Sequence, residues 1–184
     1  LSSILPDEVC VVSAAVVHED FDPRRWARGK RYRYRILNRE LRSPLHRRTH
    51  WEVSVPLDRD AMREGARYLL GRHDFTSFRA ADCQARHAVR EITRLEITEP
   101  GPDEIEITVE GTAFLKHMVR NLAGTLVEVG RGKRAPAWIG EVLARRDRSL
   151  AGRTAPAQGL TLVRVFYADA PPHQVPTPGQ PAAT

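Results

Sequence analysis

Residues 30–37 read KRYRYRIL, a stretch in which arginine alternates with aromatic and aliphatic residues. Successive side chains of a β-strand point to opposite faces of its sheet. The alternation therefore predicts a strand whose two faces differ, with Arg31, Arg33 and Arg35 on one and Tyr32, Tyr34 and Ile36 on the other. We expect the arginine face to meet solvent or a ligand, and the aromatic face to meet a core or a cleft.

Further elements are predicted on both sides of this strand. Apolar patterning predicts five more strands, at residues 9–17, 50–55, 87–98, 104–110 and 160–167. Three-and-four spacing predicts three helices, at residues 58–70, 115–129 and 136–145. Residues 100–103, Pro-Gly-Pro-Asp, have the composition of a hairpin turn. Hairpin-linked strands with inserted helices indicate an α+β fold, a mainly antiparallel mixed sheet with flanking helices.

Positive charge is concentrated in one part of the chain. The 184 residues carry 29 Lys and Arg against 23 Asp and Glu, and eleven of those basic residues lie between Arg24 and Arg48 beside a single acid, Glu40. Basic side chains interleaved with Trp26 and two tyrosines suit a polyanion whose bases can also stack. The alternative is a solvated charged face, although compositional drift would spread arginine more evenly.

Composition also excludes several classes of protein. No apolar run approaches the length of a membrane span. Two cysteines, Cys10 and Cys83, cannot build a disulfide framework or a four-ligand zinc site. We expect reduced thiols in a cytoplasmic protein. The first residue is Leu, so we expect a trimmed chain or part of a longer one, and the proline-rich residues 168–184 are predicted to be disordered.

The common catalytic motifs are missing from the sequence. There is no phosphate loop, dinucleotide fingerprint, zincin motif or nucleophile elbow. His46 and His50 are four residues apart near a strand, where that spacing favours no shared metal-binding face. His73 and Asp74 precede hydroxyl residues and could suggest a hydrolase, but a capped turn is the favoured interpretation.

Arg120 lies on an otherwise apolar predicted helix. If this arginine enters a partly buried site, it needs an anionic partner, because an unpaired buried charge is costly. The alternative, favoured by the pattern alone, is an exposed arginine on the wet face of an amphipathic helix.

Four blocks of the sequence resemble motifs of the tRNA pseudouridine synthase A family. They are residues 29–34 (GKRYRY), 69–79 (LLGRHDFTSFR), 113–124 (AFLKHMVRNLAG) and 159–162 (GLTL). Their order and separation agree with the family from about Leu5 to Tyr167, so the resemblance implies a pseudouridine synthase domain over residues 1–167. It also implies a cofactor-free isomerase that works as a homodimer on the anticodon stem-loop of tRNA, after turning the target uridine out of its stack.

The resemblance assigns roles to particular side chains. By motif position, Tyr32 is the ring that stacks on the uracil, Arg120 is the ion-pair partner of the catalytic aspartate, and Leu160 is the aliphatic pocket wall. Tyr34 and Ile36 are expected in the core. The remaining substrate-binding residues are expected to be Arg24, Lys30, Arg31, Arg33, Arg79 and Lys116.

The aspartate itself is not found. The family carries it in a Gly-Arg-Thr-Asp-Ala-Gly block upstream of Leu5-Pro6-Asp7, and no such block occurs in the 184 residues. We therefore expect a synthase lacking the N-terminal part that holds its nucleophile, and we expect the chain by itself to be inactive. The alternative is a shortened, non-catalytic RNA-binding paralogue.

Overall fold

A computed structural model describes residues 4–167, which fall into two compact units. The larger unit comprises residues 28–166, and among the described residues the smaller one comprises residues 4–27 and Tyr167. The predicted tail, residues 168–184, lies outside the described residues.

The larger unit is built on a six-stranded mixed sheet. Its strands are β1 (Ala27–Asn38), β2 (Trp51–Val53), β3 (Gly71–Asp74), β4 (Val89–Thr98), β5 (Glu104–Gly111) and β6 (Leu160–Tyr167). The strand order is β2-β1-β5-β4-β3, and β6 also pairs with β1. The β1–β5, β5–β4 and β4–β3 pairs are antiparallel, whereas β1 and β2 run parallel. The predicted α+β class with a mainly antiparallel sheet is confirmed.

The two predicted faces of β1 are present. Tyr34 and Ile36 are fully buried, as expected of core residues, while the alternating arginines are half-buried on the opposite face. Arg31 pairs in register with Glu110 of β5, and Arg35 pairs with Glu106. Antiparallel pairing thus places an acidic strand beside the arginine face.

Three helices lie in the same unit: α1 (Arg59–Arg67), α2 (Met118–Gly130) and α3 (Trp138–Arg145). The carboxylate of Asp58 caps α1 by accepting the main-chain N–H of Ala61 at 2.9 Å. Eleven of the thirteen residues of α2 are buried, so this helix supplies much of the core. Leu122, Leu126 and Val127 on α2 are completely inaccessible to solvent.

Several predicted boundaries were wrong. Residues 9–17 form no strand, and Val12 and Val16 in that stretch are exposed; a strand needs partners for its main-chain groups, and none pairs with this segment within residues 4–167. The helix predicted to reach Leu70 stops at Arg67, which leaves Leu70 partly exposed. Gly71, with φ of 94°, opens strand β3, which periodicity did not reveal because it is only four residues long.

Candidate active site

The aromatic face of β1 carries two tyrosines in different environments. The Tyr34 hydroxyl donates to the main-chain oxygen of Pro156 at 2.7 Å, and the ring is fully buried. Tyr32 is only half-buried and meets Phe114 edge-on, with ring centroids 5.0 Å apart. Burial raises the pKa of both phenols, which therefore stay protonated at neutral pH. Tyr34 is a fixed part of the core, whereas Tyr32 keeps an accessible surface.

Arg120, the third residue of α2, lies close to Tyr34. Its Nε donates to the main-chain oxygen of Ala155 at 2.6 Å, and the main-chain N–H of Ala155 donates back to the oxygen of Arg120 at 3.1 Å. Burial raises the pKa of Tyr34, and the positive charges of Arg120 and Arg153 partly oppose that rise. Within residues 4–167, no carboxylate oxygen lies within 4.0 Å of the Arg120 side chain nitrogens. Arg120 is half-buried, so the predicted wet-face alternative is wrong.

The segment from residue 151 to residue 160 joins these groups. It supplies the acceptors for Arg120 and Tyr34 and ends at Leu160, which is half-buried against the hydrophobic core at the start of β6. Gly159 permits the close approach of β1, because a Cβ there would lie 2.7 Å from Cζ of Tyr34 and 2.8 Å from a main-chain oxygen of β1. The structure thus brings Arg120 and residues 155–159 together beside Tyr34 of β1.

Two residues near this location were not singled out from the sequence. Phe114 contacts the Tyr32 ring edge-on, and it lies four residues before α2, within the block of residues 113–124. The Arg153 guanidinium lies over the Trp51 ring, 4.9 Å from its centroid, and its charge reaches Tyr34. Neither position shows a sequence pattern of its own, because both contacts join segments far apart along the chain.

The basic residues of β1 are compensated by acids of β5. Nε of Arg31 lies 2.8 Å from the carboxylate of Glu110, and Nε of Arg33 lies 3.5 Å from that of Glu106. The same Glu106 lies 3.8 Å from Nε of Arg35. We call these three arginines and two glutamates the β1–β5 ladder. Only Nε of Arg31 makes a hydrogen bond within the ladder, because Nε of Arg33 has no hydrogen-bond partner among the described residues.

The other predicted substrate-binding residues have differing partners. Lys30 has no carboxylate within 4.0 Å among the described residues. Lys116 forms an exposed ion pair with Asp82, and its main-chain oxygen accepts the N–H of Ala80, the neighbour of Arg79. In the smaller unit, the main-chain N–H of Arg24 donates to the Asp22 carboxylate at 2.7 Å, and the Arg24 side chain is exposed.

The hydrolase alternative finds no support in the geometry. The His73 ring is held by the main-chain oxygen of Leu70, 2.7 Å away. The Asp74 carboxylate accepts the main-chain N–H and the hydroxyl of Thr76 at 3.0 and 2.6 Å, and chiefly this hydroxyl bond lowers the pKa of Asp74. The buried Ser77 hydroxyl donates to the main-chain oxygen of Val142. His73 and Asp74 lie at the end of strand β3, and Asp74 bonds to Thr76 in the turn that follows.

The histidine pair does not complete a metal site. The His46 and His50 rings pack edge to face with centroids 4.8 Å apart. In the part of the chain that the structure describes, no group of three His, Cys, Asp or Glu side chains is placed to hold a metal ion.

No helix among the same residues is both long and apolar enough to cross a membrane.

The chain is similar in sequence to a known family of proteins. A family model described as tRNA pseudouridine synthase matches residues 66–168. A Myxococcus xanthus protein named tRNA pseudouridine synthase A is 64% identical over 176 residues, which are 96% of this chain and 66% of that protein. Proteins of the same name from Syntrophotalea carbinolica and Stenotrophomonas maltophilia are 47% and 46% identical over 91% and 90% of the chain, and the matches cover 66% and 64% of those proteins.

The chain therefore belongs to the tRNA pseudouridine synthase family. It spans about two thirds of the length of the curated relatives that it matches.

Proposed function

We propose that the protein containing this chain is a tRNA pseudouridine synthase that isomerises uridine in the anticodon stem-loop. In this reaction the bond between uracil N1 and ribose C1′ breaks, and a bond between C5 and C1′ forms. C5 loses its proton and N1 regains one, so atoms and electrons balance without a cofactor. Family membership and the four sequence blocks support this activity.

Arg120 carries the proposal. It is half-buried, and its guanidinium is held by a neutral carbonyl with no carboxylate within 4.0 Å in the described residues. A cation in such a place is costly unless an anion joins it. We assign that anion to the catalytic aspartate, supplied by polypeptide outside the 184 residues.

Tyr32 and Leu160 form the uracil pocket in this proposal. An aromatic ring with one accessible face can replace the stacking that a flipped base loses. Tyr32 is half-buried and is braced edge-on by Phe114, which fixes the plane of its ring. Leu160 begins β6 beside β1 and supplies the apolar wall.

Basic side chains hold the tRNA backbone. We assign this role to six residues, namely Arg24, Lys30, Arg31, Arg33, Arg79 and Lys116. Glu110 orients Arg31 through a hydrogen bond of 2.8 Å, and Arg33 lies half-buried on the same face of β1. We further propose that the protein acts as a homodimer in the cytoplasm.

Release of tritium from tRNA labelled at C5 of uridine tests the activity. We expect release by the complete protein and none by the 184-residue chain alone, which should bind tRNA only weakly. Turnover by the chain alone would show that its own residues supply the nucleophile. A complete protein that binds tRNA yet releases no tritium would contradict the synthase assignment.

A non-catalytic RNA-binding paralogue is the second candidate. It predicts an open reading frame that starts near Leu1, and tRNA affinity with a steep salt dependence but no tritium release. The synthase predicts a reading frame that continues upstream into the Gly-Arg-Thr-Asp-Ala-Gly block. Sequencing the coding region before Leu1 separates the two.

A further inference from the structure

A buried polar network lies between α2 and the segment that follows α3. Asn121, the residue after Arg120, is completely buried, and its amide nitrogen donates to the main-chain oxygen of Phe78 at 2.7 Å. Its amide oxygen accepts the Thr154 hydroxyl at 2.7 Å and the Arg148 Nη2 at 3.1 Å. The Asn121 side chain therefore binds two residues of the segment that follows α3, Arg148 and Thr154.

Arg148 is the cation of this network. Its terminal nitrogens also donate to the main-chain oxygen of Gly152 at 2.9 Å and to the Thr154 hydroxyl at 3.0 Å. Burial lowers the pKa of Arg148, and among residues 4–167 no carboxylate lies within 4.0 Å of it. The guanidinium is planar and rigid, so its hydrogen bonds to these neutral groups fix their positions relative to one another.

Close packing holds the same segment against α2. A Cβ on Gly124 would lie 1.8 Å from the main-chain oxygen of Arg153, and a Cβ on Gly152 would lie 2.7 Å from that of Gly124. The main-chain N–H of Gly152 donates to the Thr125 hydroxyl at 3.0 Å. The segment therefore packs directly against the main chain of α2 and has no room to shift toward the helix.

Ala155 follows Thr154 in this segment. Its main-chain oxygen accepts from Nε of Arg120, and its main-chain N–H donates to the main-chain oxygen of Arg120. We propose that Arg148, acting with Asn121 and Thr154, is a positioning residue that sets the orientation of the Arg120 guanidinium. This inference rests on the proposed function for its catalytic consequence. When Nε of Arg120 is fixed on Ala155, the plane of the guanidinium is fixed too, and its terminal nitrogens are aimed in one direction at the incoming carboxylate.

Hydrogen exchange tests the positioning directly. In the complete protein labelled with 15N-arginine, the Nε–H resonance of Arg120 is assigned as the one that disappears in Arg120→Lys. We expect Arg148→Lys and Thr154→Val each to speed its exchange by about fivefold or more, the value of one hydrogen bond. Arg145→Gln, a change of an exposed arginine at the end of α3, should leave the exchange unchanged.

Kinetics test the consequence. Arg148→Lys should lower kcat by about tenfold with tRNA affinity unchanged, and it should cause no further loss in an Arg120→Ala background. Thr154→Val should repeat this pattern if Arg148→Lys unfolds the protein. Unchanged Arg120 exchange in folded variants, or kcat losses that multiply in the double variant, would overturn the positioning role.

The two proposals fail separately. If the complete wild-type protein forms no pseudouridine, the proposed function fails, while the exchange measurement still decides the positioning. If the wild type is active and Arg120→Ala is not, unchanged exchange and rate in Arg148→Lys contradict the positioning alone.

Discussion

The β1–β5 ladder and the Arg120 site hold arginines of similar burial in opposite electrostatic surroundings. In the ladder, the carboxylates of Glu106 and Glu110 compensate the cations. At the site, Arg120 meets the neutral carbonyl of Ala155. A count of charges along the sequence would rank the ladder first as an anion-binding region. The comparison shows instead that Arg120 has no carboxylate partner among residues 4–167, since hydrogen bonds to neutral groups orient a cation without cancelling its charge.

The largest effect is expected at Arg120. Replacing it in the complete protein by Ala removes the proposed partner of the catalytic carboxylate. Loss of one member of a buried charge pair costs several kcal/mol, so kcat should fall by about 100-fold or more while tRNA affinity changes little. Tritium release gives the rate, and filter binding gives the affinity.

The matched control lies at the edge of the ladder. Arg94 pairs with Glu96 at 2.7 Å and Glu110 at 3.1 Å on the sheet surface. Arg94→Ala should leave the rate near wild type. A parallel fall of rate and affinity in Arg120→Ala would make Arg120 a phosphate contact instead and would remove the contrast between the two regions.

The next largest effect is expected on stability, at Gly124, where α2 packs against the main chain of Arg153. In Gly124→Ala the new methyl would meet the main-chain oxygen of Arg153 at 1.8 Å, and neither main-chain segment can yield easily. Overpacking of this kind typically costs about 1–3 kcal/mol, so the free energy of unfolding in urea should fall by that amount. Gly101→Ala is the control, because its Cβ would have only the Glu104 side chain nearby, at 3.6 Å. Equal stability of the two variants would contradict the tight contact.

The sequence predicted the faces of β1 because strand alternation is a local property. It predicted α2 for the same reason, since a buried stripe at helical spacing depends on neighbouring residues. The roles of Tyr32, Arg120 and Leu160 came from motif resemblance and stay predictions. The compensation of Arg31 by Glu110 could not be predicted, because it depends on the register between strands 79 residues apart along the chain.

The largest error of local pattern was at the N-terminal end of the described residues. Residues 9–17 have the apolar composition of a strand, yet a strand is defined by its partner's main-chain groups, which the pattern does not contain. The polar contacts of Asn121 and Arg148 escaped prediction for a related reason: each residue binds a main-chain oxygen, which every residue type carries, and their mutual contact joins residues 27 positions apart.

The ladder itself is tested by salt dependence. Replacing Arg33 and Arg35 together by Gln should weaken tRNA binding. It should also lower the slope of log affinity against log salt by about 0.7–0.9 for each phosphate that the variant no longer neutralises. Glu106→Gln is the opposite change, because it frees both arginines from their shared carboxylate. It should tighten binding a few-fold at low salt. An unchanged slope in the double variant would show that this face does not touch RNA.

The smallest effect is expected at His50, the residue that precedes β2. His50 is buried, and its Nε2 has no hydrogen-bond partner among the described residues. Burial, followed by the positive charge of His46, lowers the pKa of His50, and the weaker influence of Glu104 does not reverse this. Below the unfolded value of about 6.5 the unfolded chain takes up a proton that the folded chain resists. The free energy of unfolding should therefore fall as the pH drops below about 6.5.

His50→Gln should remove this part of the pH dependence, because the amide does not titrate. His87→Gln, at an exposed position, should retain it. Urea unfolding of both variants between about pH 7.5 and pH 5 measures the difference. If His50→Gln and wild type lose stability in parallel, the acid sensitivity comes from other groups, and the buried histidine contributes nothing to it.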